Sequence, residues 1–176
     1  QRLAHWTGIG AMTVSNTTGG LQATAESSND FLLGPPVQIE TADNTYASIR
    51  MSASRGDKAR LIFATDKTPG MHSHYYPIIA DGKDHLYNLD MLAAPEWKGR
   101  VVALGLQPSD APGATVEIHS IAAAAEPQGS PQLSIQAFGL DEAAPRAGIP
   151  AKMTALIGNT GGEAAKNIRA SLVMPE

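Results

Sequence analysis

Residues 46–53 read Tyr-Ala-Ser-Ile-Arg-Met-Ser-Ala, with an apolar side chain at every second position. A strand turns successive side chains to opposite faces. Ala47, Ile49, Met51 and Ala53 therefore share one face, and Tyr46, Ser48, Arg50 and Ser52 share the other. Such a strand needs a second layer to cover its apolar side. The pattern returns at 59–64, with Ala59, Leu61 and Phe63 inward, and at 115–121, where Val116 and Ile118 face away from Thr115, Glu117 and His119. Residues 85–89 and the nearly unbroken apolar run 100–106 add two more strands. Arg55-Gly56-Asp57-Lys58 and Asp81-Gly82-Lys83 read as hairpin turns, and 17 glycines and 12 prolines supply turn chemistry throughout. Helical periodicity is weak; residues 91–98 allow one turn before Pro95 interrupts it. The prediction is an all-β chain, an antiparallel β-sandwich or barrel.

The alternation fades into Ala123-Ala124-Ala125-Glu126-Pro127-Gln128-Gly129-Ser130-Pro131, which reads as a linker at 123–131 between a sandwich at 1–122 and a tail at 132–176. The tail offers strand candidates at 133–138, 151–157 and 168–173. An Ig-type sandwich needs about seven strands, so the tail reads as the start of a second domain that is cut off. The first residue is Gln rather than Met, the mark of a processed or trimmed chain. The net charge of −4, with Lys and Arg scattered singly, argues against nucleic acid. No apolar run reaches the ~20 residues of a membrane span. With no cysteine and no Gly-rich phosphate loop, Cys-based metal and nucleotide motifs are excluded.

Up to residue 126 the order of features resembles a galactose-binding-domain-like jelly roll of the kind found among bacterial carbohydrate-binding modules. The resemblance is carried by Trp6, Gly20-Leu21-Gln22-Ala23-Thr24, Asp30 ahead of Gly34-Pro35-Pro36-Val37-Gln38-Ile39, and residues 46–51. Asp81 to Tyr87, the Glu96-Trp97-Lys98-Gly99-Arg100 turn and Leu104-Gly105-Leu106-Gln107-Pro108 complete it. In the tail, Asn159-Thr160-Gly161 followed by Ala165-Lys166-Asn167-Ile168 resembles the turn of CARDB-like Ig domains, which follow such modules in large secreted proteins. These resemblances imply a noncatalytic carbohydrate-binding module in a secreted or cell-surface bacterial protein. Its partners would be a polysaccharide or oligosaccharide and the neighbouring domains of a parent enzyme. They imply no cofactor beyond a structural Ca²⁺, for which Asp30 is the candidate ligand.

Sugar recognition needs an aromatic ring against the apolar face of a pyranose and fixed polar groups for its hydroxyls. The available Trp and Tyr residues are Trp6, Tyr46, Tyr75, Tyr76, Tyr87 and Trp97. Trp6 and Trp97 read as structural anchors. Met71-His72-Ser73-His74-Tyr75-Tyr76 reads as part of a long loop bracketed by Pro69-Gly70 and Pro77, where binding residues concentrate; its bland reading is a cover for the sheet edge. The candidate ligand-binding residues are Tyr46, Arg50, His74, Tyr75, Tyr76 and His119, all of which also suit an ordinary solvated sheet surface. His72 and His74 would share a side, as HxH metal pairs do, with His85 or His119 as a third ligand brought in by folding. Two other functions stay open: a structural or adhesive spacer packing on a catalytic domain, and a jelly-roll polysaccharide lyase. The lyase would use Tyr75 or Tyr76, His74 or His85, and Arg50 or Arg60 for proton removal beside a neutralised uronate.

Overall fold

The computed structural model describes residues 3–140 and 151–171, in two units, Gln1–Pro127 and Gln128–Glu176. The first is an antiparallel β-sandwich. Its strands are β1 (Thr7–Ile9), β2 (Thr13–Asn16), β3 (Leu21–Thr24), β4 (Phe31–Leu33), β5 (Ile39–Glu40), β6 (Tyr46–Ala53), β7 (Lys58–Thr65), β8 (His72–Pro77), β9 (His85–Asp90), β10 (Arg100–Gln107) and β11 (Thr115–Ala124). Sheet A has the order β1-β4-β10-β7-β8, with β5 also on β10; sheet B has the order β2-β3-β11-β6-β9. β4 and β5 occupy the two ends of one edge of β10. Pro35 and Pro36, which lack N–H donors, separate what would otherwise be a single strand.

The alternation read in the sequence is the burial pattern of the strands. Ala47, Ile49, Met51 and Ala53 of sheet B face Ala59, Leu61, Phe63, Leu104 and Leu106 of sheet A across one apolar core. Two connections differ from expectation. β6 and β7 lie in different sheets, as do β8 and β9, so 54–57 and 78–84 are arches over the sandwich edge and not hairpins. Each strand has one apolar face, and in an arch the two strands meet through those faces across the core instead of lying side by side. Asp110 holds the first arch: its carboxylate accepts from the amides of Asp57 (3.0 Å) and Lys58 (3.3 Å).

Trp97 is an anchor, as expected. It is buried, its Nε1 donates to the Asn44 carbonyl at 2.8 Å, and its ring meets Phe63 edge-on at 5.0 Å. Trp6 is buried against Gly34. The expected helical turn is a single 3-10 turn at Met91–Ala93, capped by the Asp90 carboxylate. Residues 71–77, expected to be loop, contain β8, the edge strand of sheet A.

In the second unit β12 (Leu133–Leu140) and β13 (Met153–Asn159) form an antiparallel ribbon. No strand forms over 168–171, and 172–173 lie outside the described residues. The Asn159-Thr160-Gly161 motif is a turn, in which the Asn159 side-chain oxygen accepts from the amides of Gln132 (2.9 Å) and Gly161 (3.0 Å). Ile135, Phe138 and Leu156 of this ribbon are exposed.

Candidate functional site

The six candidate residues are distributed over three environments. β8 pairs with β7 in the register Arg60↔Tyr75, Leu61↔His74 and Phe63↔His72. Strand parity then sends Tyr75 and Ser73 to the outer face of sheet A and turns His72, His74 and Tyr76 toward the core. Tyr76 is 5% exposed and its ring packs on Tyr87 at 5.4 Å. Its ring is thus closed to a ligand, a correction to its reading as a binding residue. Burial pushes the Tyr76 phenol well above its ordinary value, and the neighbouring Tyr87 adds to this. His72 and His74 do share a side, but His72 lies against Phe63. Among the described residues no group of His, Asp and Glu side chains is arranged to hold a metal ion.

Burial also lowers the His74 pKa, with Asp90 opposing the shift. The unfolded chain therefore takes up a proton first as pH falls below the ordinary histidine value of about 6.5. Thermal stability is expected to decline from pH 7 to pH 5, and His74→Gln to flatten that decline. Parallel profiles in the two proteins would rule this origin out.

Tyr46, Arg50 and His119 belong to the outer face of sheet B, which is polar and largely self-paired. Arg50 Nε donates to Asp84 at 2.5 Å, Ser48 Oγ to Asn88 at 2.6 Å, and Thr17 Oγ1 to Glu117 at 3.0 Å. His119 was legible only as one member of an alternating strand. It is in fact the extra residue of a bulge, since Ile118 pairs with Met51 and Ser120 with Arg50. The bulge aims its imidazole at the Gly19 carbonyl (3.2 Å) and Asp84 (3.8 Å). Gly20 lets the β2–β3 turn approach this bulge, because a Cβ there would collide with the Ile118 carbonyl. Asp30 is buried, and its carboxylate accepts from the amides of Ala11, Glu26 and Ser27 and from the Ser27 hydroxyl. The Ser27 amide does most to hold its pKa below the ordinary carboxylate value.

Sheet A presents a different surface. Arg60 lies opposite Gln107, Ile62 opposite Gly105, and Gly105 opposite Leu33, so these side chains share the face that Tyr75 occupies. Tyr75 is 60% exposed. Arg60 Nη1 donates to the Tyr75 hydroxyl at 3.3 Å, and the guanidinium carbon sits 5.8 Å from the ring centre. At Gly105 an added Cβ would stand 2.8 Å from the Leu32 carbonyl oxygen and 3.4 Å from Phe31; the glycine gives β4 its close approach. Phe31 and Tyr75 are three strands apart, roughly 14 Å at ordinary strand spacing. Of the residues sharing this face, the half-buried Phe31 is the binding candidate missed by sequence reasoning, while Ile62 and Gly105 are buried beneath it. The sequence singles out Arg60 only as a lyase residue. Their common face follows from register, which the strand patterns alone do not contain.

No protein-family model and no curated protein matches the sequence. Solved structures do share the fold. A variant of a family 29 carbohydrate-binding module has a TM-score of 0.50 at 10% identity, covering 69% of this chain and 82% of its own. A xylan-binding module of family 15 has a TM-score of 0.49 at 16% identity, covering 69% and 90%. The glycoside hydrolase domain of Endo-D from Streptococcus pneumoniae has a TM-score of 0.50 at 13% identity. There the match covers 89% of this chain but only 26% of the other.

Proposed function

We propose that the sandwich is a noncatalytic carbohydrate-binding module that holds a polysaccharide or oligosaccharide on the outer face of sheet A. Tyr75 supplies the stacking ring, and Arg60 and the neighbouring polar groups bond the hydroxyls. The observation that carries this reading is the exposed Tyr75 ring, fixed by a strand whose neighbouring side chains His74 and Tyr76 turn inward. The fold shared with a family 29 carbohydrate-binding module supports it. The likeness to part of a glycoside hydrolase domain agrees with an accessory module in a larger secreted or cell-surface protein. The tail would then begin an Ig-like neighbour.

A pull-down of the whole chain on insoluble polysaccharides tests the proposal, and saturable retention on at least one is expected. EDTA should leave retention unchanged, because four hydrogen bonds already engage the Asp30 oxygens. A folded sample that no glycan retains overturns the reading. It would favour the spacer, to which the exposed Ile135, Phe138 and Leu156 of the second unit also point. The lyase reading has less support: Tyr75 and Arg60 share a face from which His74 is turned away, and Arg50 belongs to the other sheet.

A further inference from the structure

We infer that the glycan taken by this face is acidic, a polysaccharide carrying hexuronate carboxylates; the inference rests on the carbohydrate reading above. The determinant is Arg60. Arg50 is closed by Asp84 and Arg100 by Glu40. Arg60 has no carboxylate partner among the described residues. Its Nη1 reaches only the Tyr75 hydroxyl, while its Nε is shielded from water with no hydrogen-bond partner. With its Nε shielded and only a neutral hydroxyl on Nη1, the Arg60 guanidinium keeps an uncompensated charge on this face, which an anionic group at its exposed Nη end would offset.

The surroundings fit the same ligand. Lys58 and Pro77 are paired across β7 and β8 and share the outward parity of Arg60 and Tyr75. A cavity of about 270 Å³ lies beside the tyrosine, lined by Lys58, Tyr75, Tyr76, Pro77 and Asp57. The Asp110 carboxylate lies near enough to feel the Lys58 charge and offsets part of it, so Arg60 carries the preference. A hexuronate offers an apolar ring face to Tyr75 and a planar carboxylate to the guanidinium fork, the geometry that arginine binds through paired N–H donors. A neutral sugar would satisfy the ring and leave the cation uncompensated. Since the whole chain carries a net charge of −4, general attraction for polyanions does not explain such binding.

The test uses the full chain with polygalacturonate, alginate and glucuronoxylan, each beside its carboxyl-esterified form, and with dextran sulfate. At least one acid form should bind about tenfold or more tightly than its ester. Arg60→Gln should weaken acid-form binding by about ten- to hundredfold and ester binding by much less, about two- to fivefold for a lost hydroxyl contact, while Arg60→Lys, which keeps the charge but not the fork, should fall between on the acid form. Roughly 0.5 M salt should weaken the acid form selectively. Acid and ester bound equally would overturn the inference while the carbohydrate reading stands. Dextran sulfate bound as tightly as the best uronate would overturn it in favour of simple polyanion attraction. Failure to bind any glycan removes the underlying proposal itself. If Arg60→Gln does not fold, the ester comparison and salt series on the unaltered chain still decide.

Discussion

Tyr75→Ala is expected to weaken glycan retention by roughly ten- to hundredfold, the loss of about 1.5–3 kcal/mol that accompanies removal of a large ring from an apolar contact. The same substitution should leave folding nearly unchanged. The ring is largely in water and its strand is at a sheet edge, so the folded state loses only the cross-strand contact with Arg60, worth about 0.2–1 kcal/mol. Retention and thermal midpoint, measured on one preparation, therefore separate in this variant. If both fall together, Tyr75 is a packing residue; if neither changes, the glycan sits elsewhere. In the second case the sheet B face, with Tyr46 and His119, becomes the surface to mutate.

Phe63→Ala should do the opposite, lowering the stability of the sandwich by about 3–5 kcal/mol. Phe63 is completely buried at the centre of β7, edge-on to Trp97 at 5.0 Å and 5.7 Å from the His72 ring. Its removal leaves a cavity between rigid strands that cannot easily collapse, and costs the aromatic pairing besides. A domain of this size is stable by only about 5–15 kcal/mol, so the midpoint should fall by on the order of 10–20 °C. The chain provides its own probe, because both tryptophans, Trp6 and Trp97, lie in the first unit. Tryptophan fluorescence in urea thus follows the sandwich and not the second unit. A loss below about 1 kcal/mol would mean that the core repacks around the gap.

Much of the architecture was legible because burial in a sandwich is one-sided. Ile49 and Met51 against Ser48 and Arg50, or Val116 and Ile118 against Thr115 and Glu117, can satisfy both water and core only as strands. The sheet to which each strand belongs was not legible. Arg55-Gly56-Asp57-Lys58 has turn chemistry that serves an arch as well as a hairpin, and the contacts that cap the arch come from Asp110, more than fifty positions away. The strand at 72–77 was hidden for a related reason. His72, Ser73, His74 and Tyr75 carry polar atoms on both faces, so no alternation marks β8. Which of Tyr75 and Tyr76 faces water is a matter of one-residue register, set by pairing with Arg60 and Ala59. The position of His119 depended on a bulge, which has no sequence signature here.

The crossing of strands between sheets has a consequence for how the chain reaches this structure. β11 is central to sheet B, holding β3 on one side and β6 on the other, yet it ends the sandwich sequence. β10 does the same for sheet A between β4 and β7. As the polypeptide emerges from a ribosome, β2–β3 and β7–β8 can pair at once, but neither sheet can close until residues 100–124 have been made. Long-separation pairing of this kind places folding in the slow, millisecond-to-second regime. Until Ala124 is out, the apolar faces of β3, β4, β6 and β7 have no permanent cover, and that interval is when this protein most needs to be kept from its neighbours.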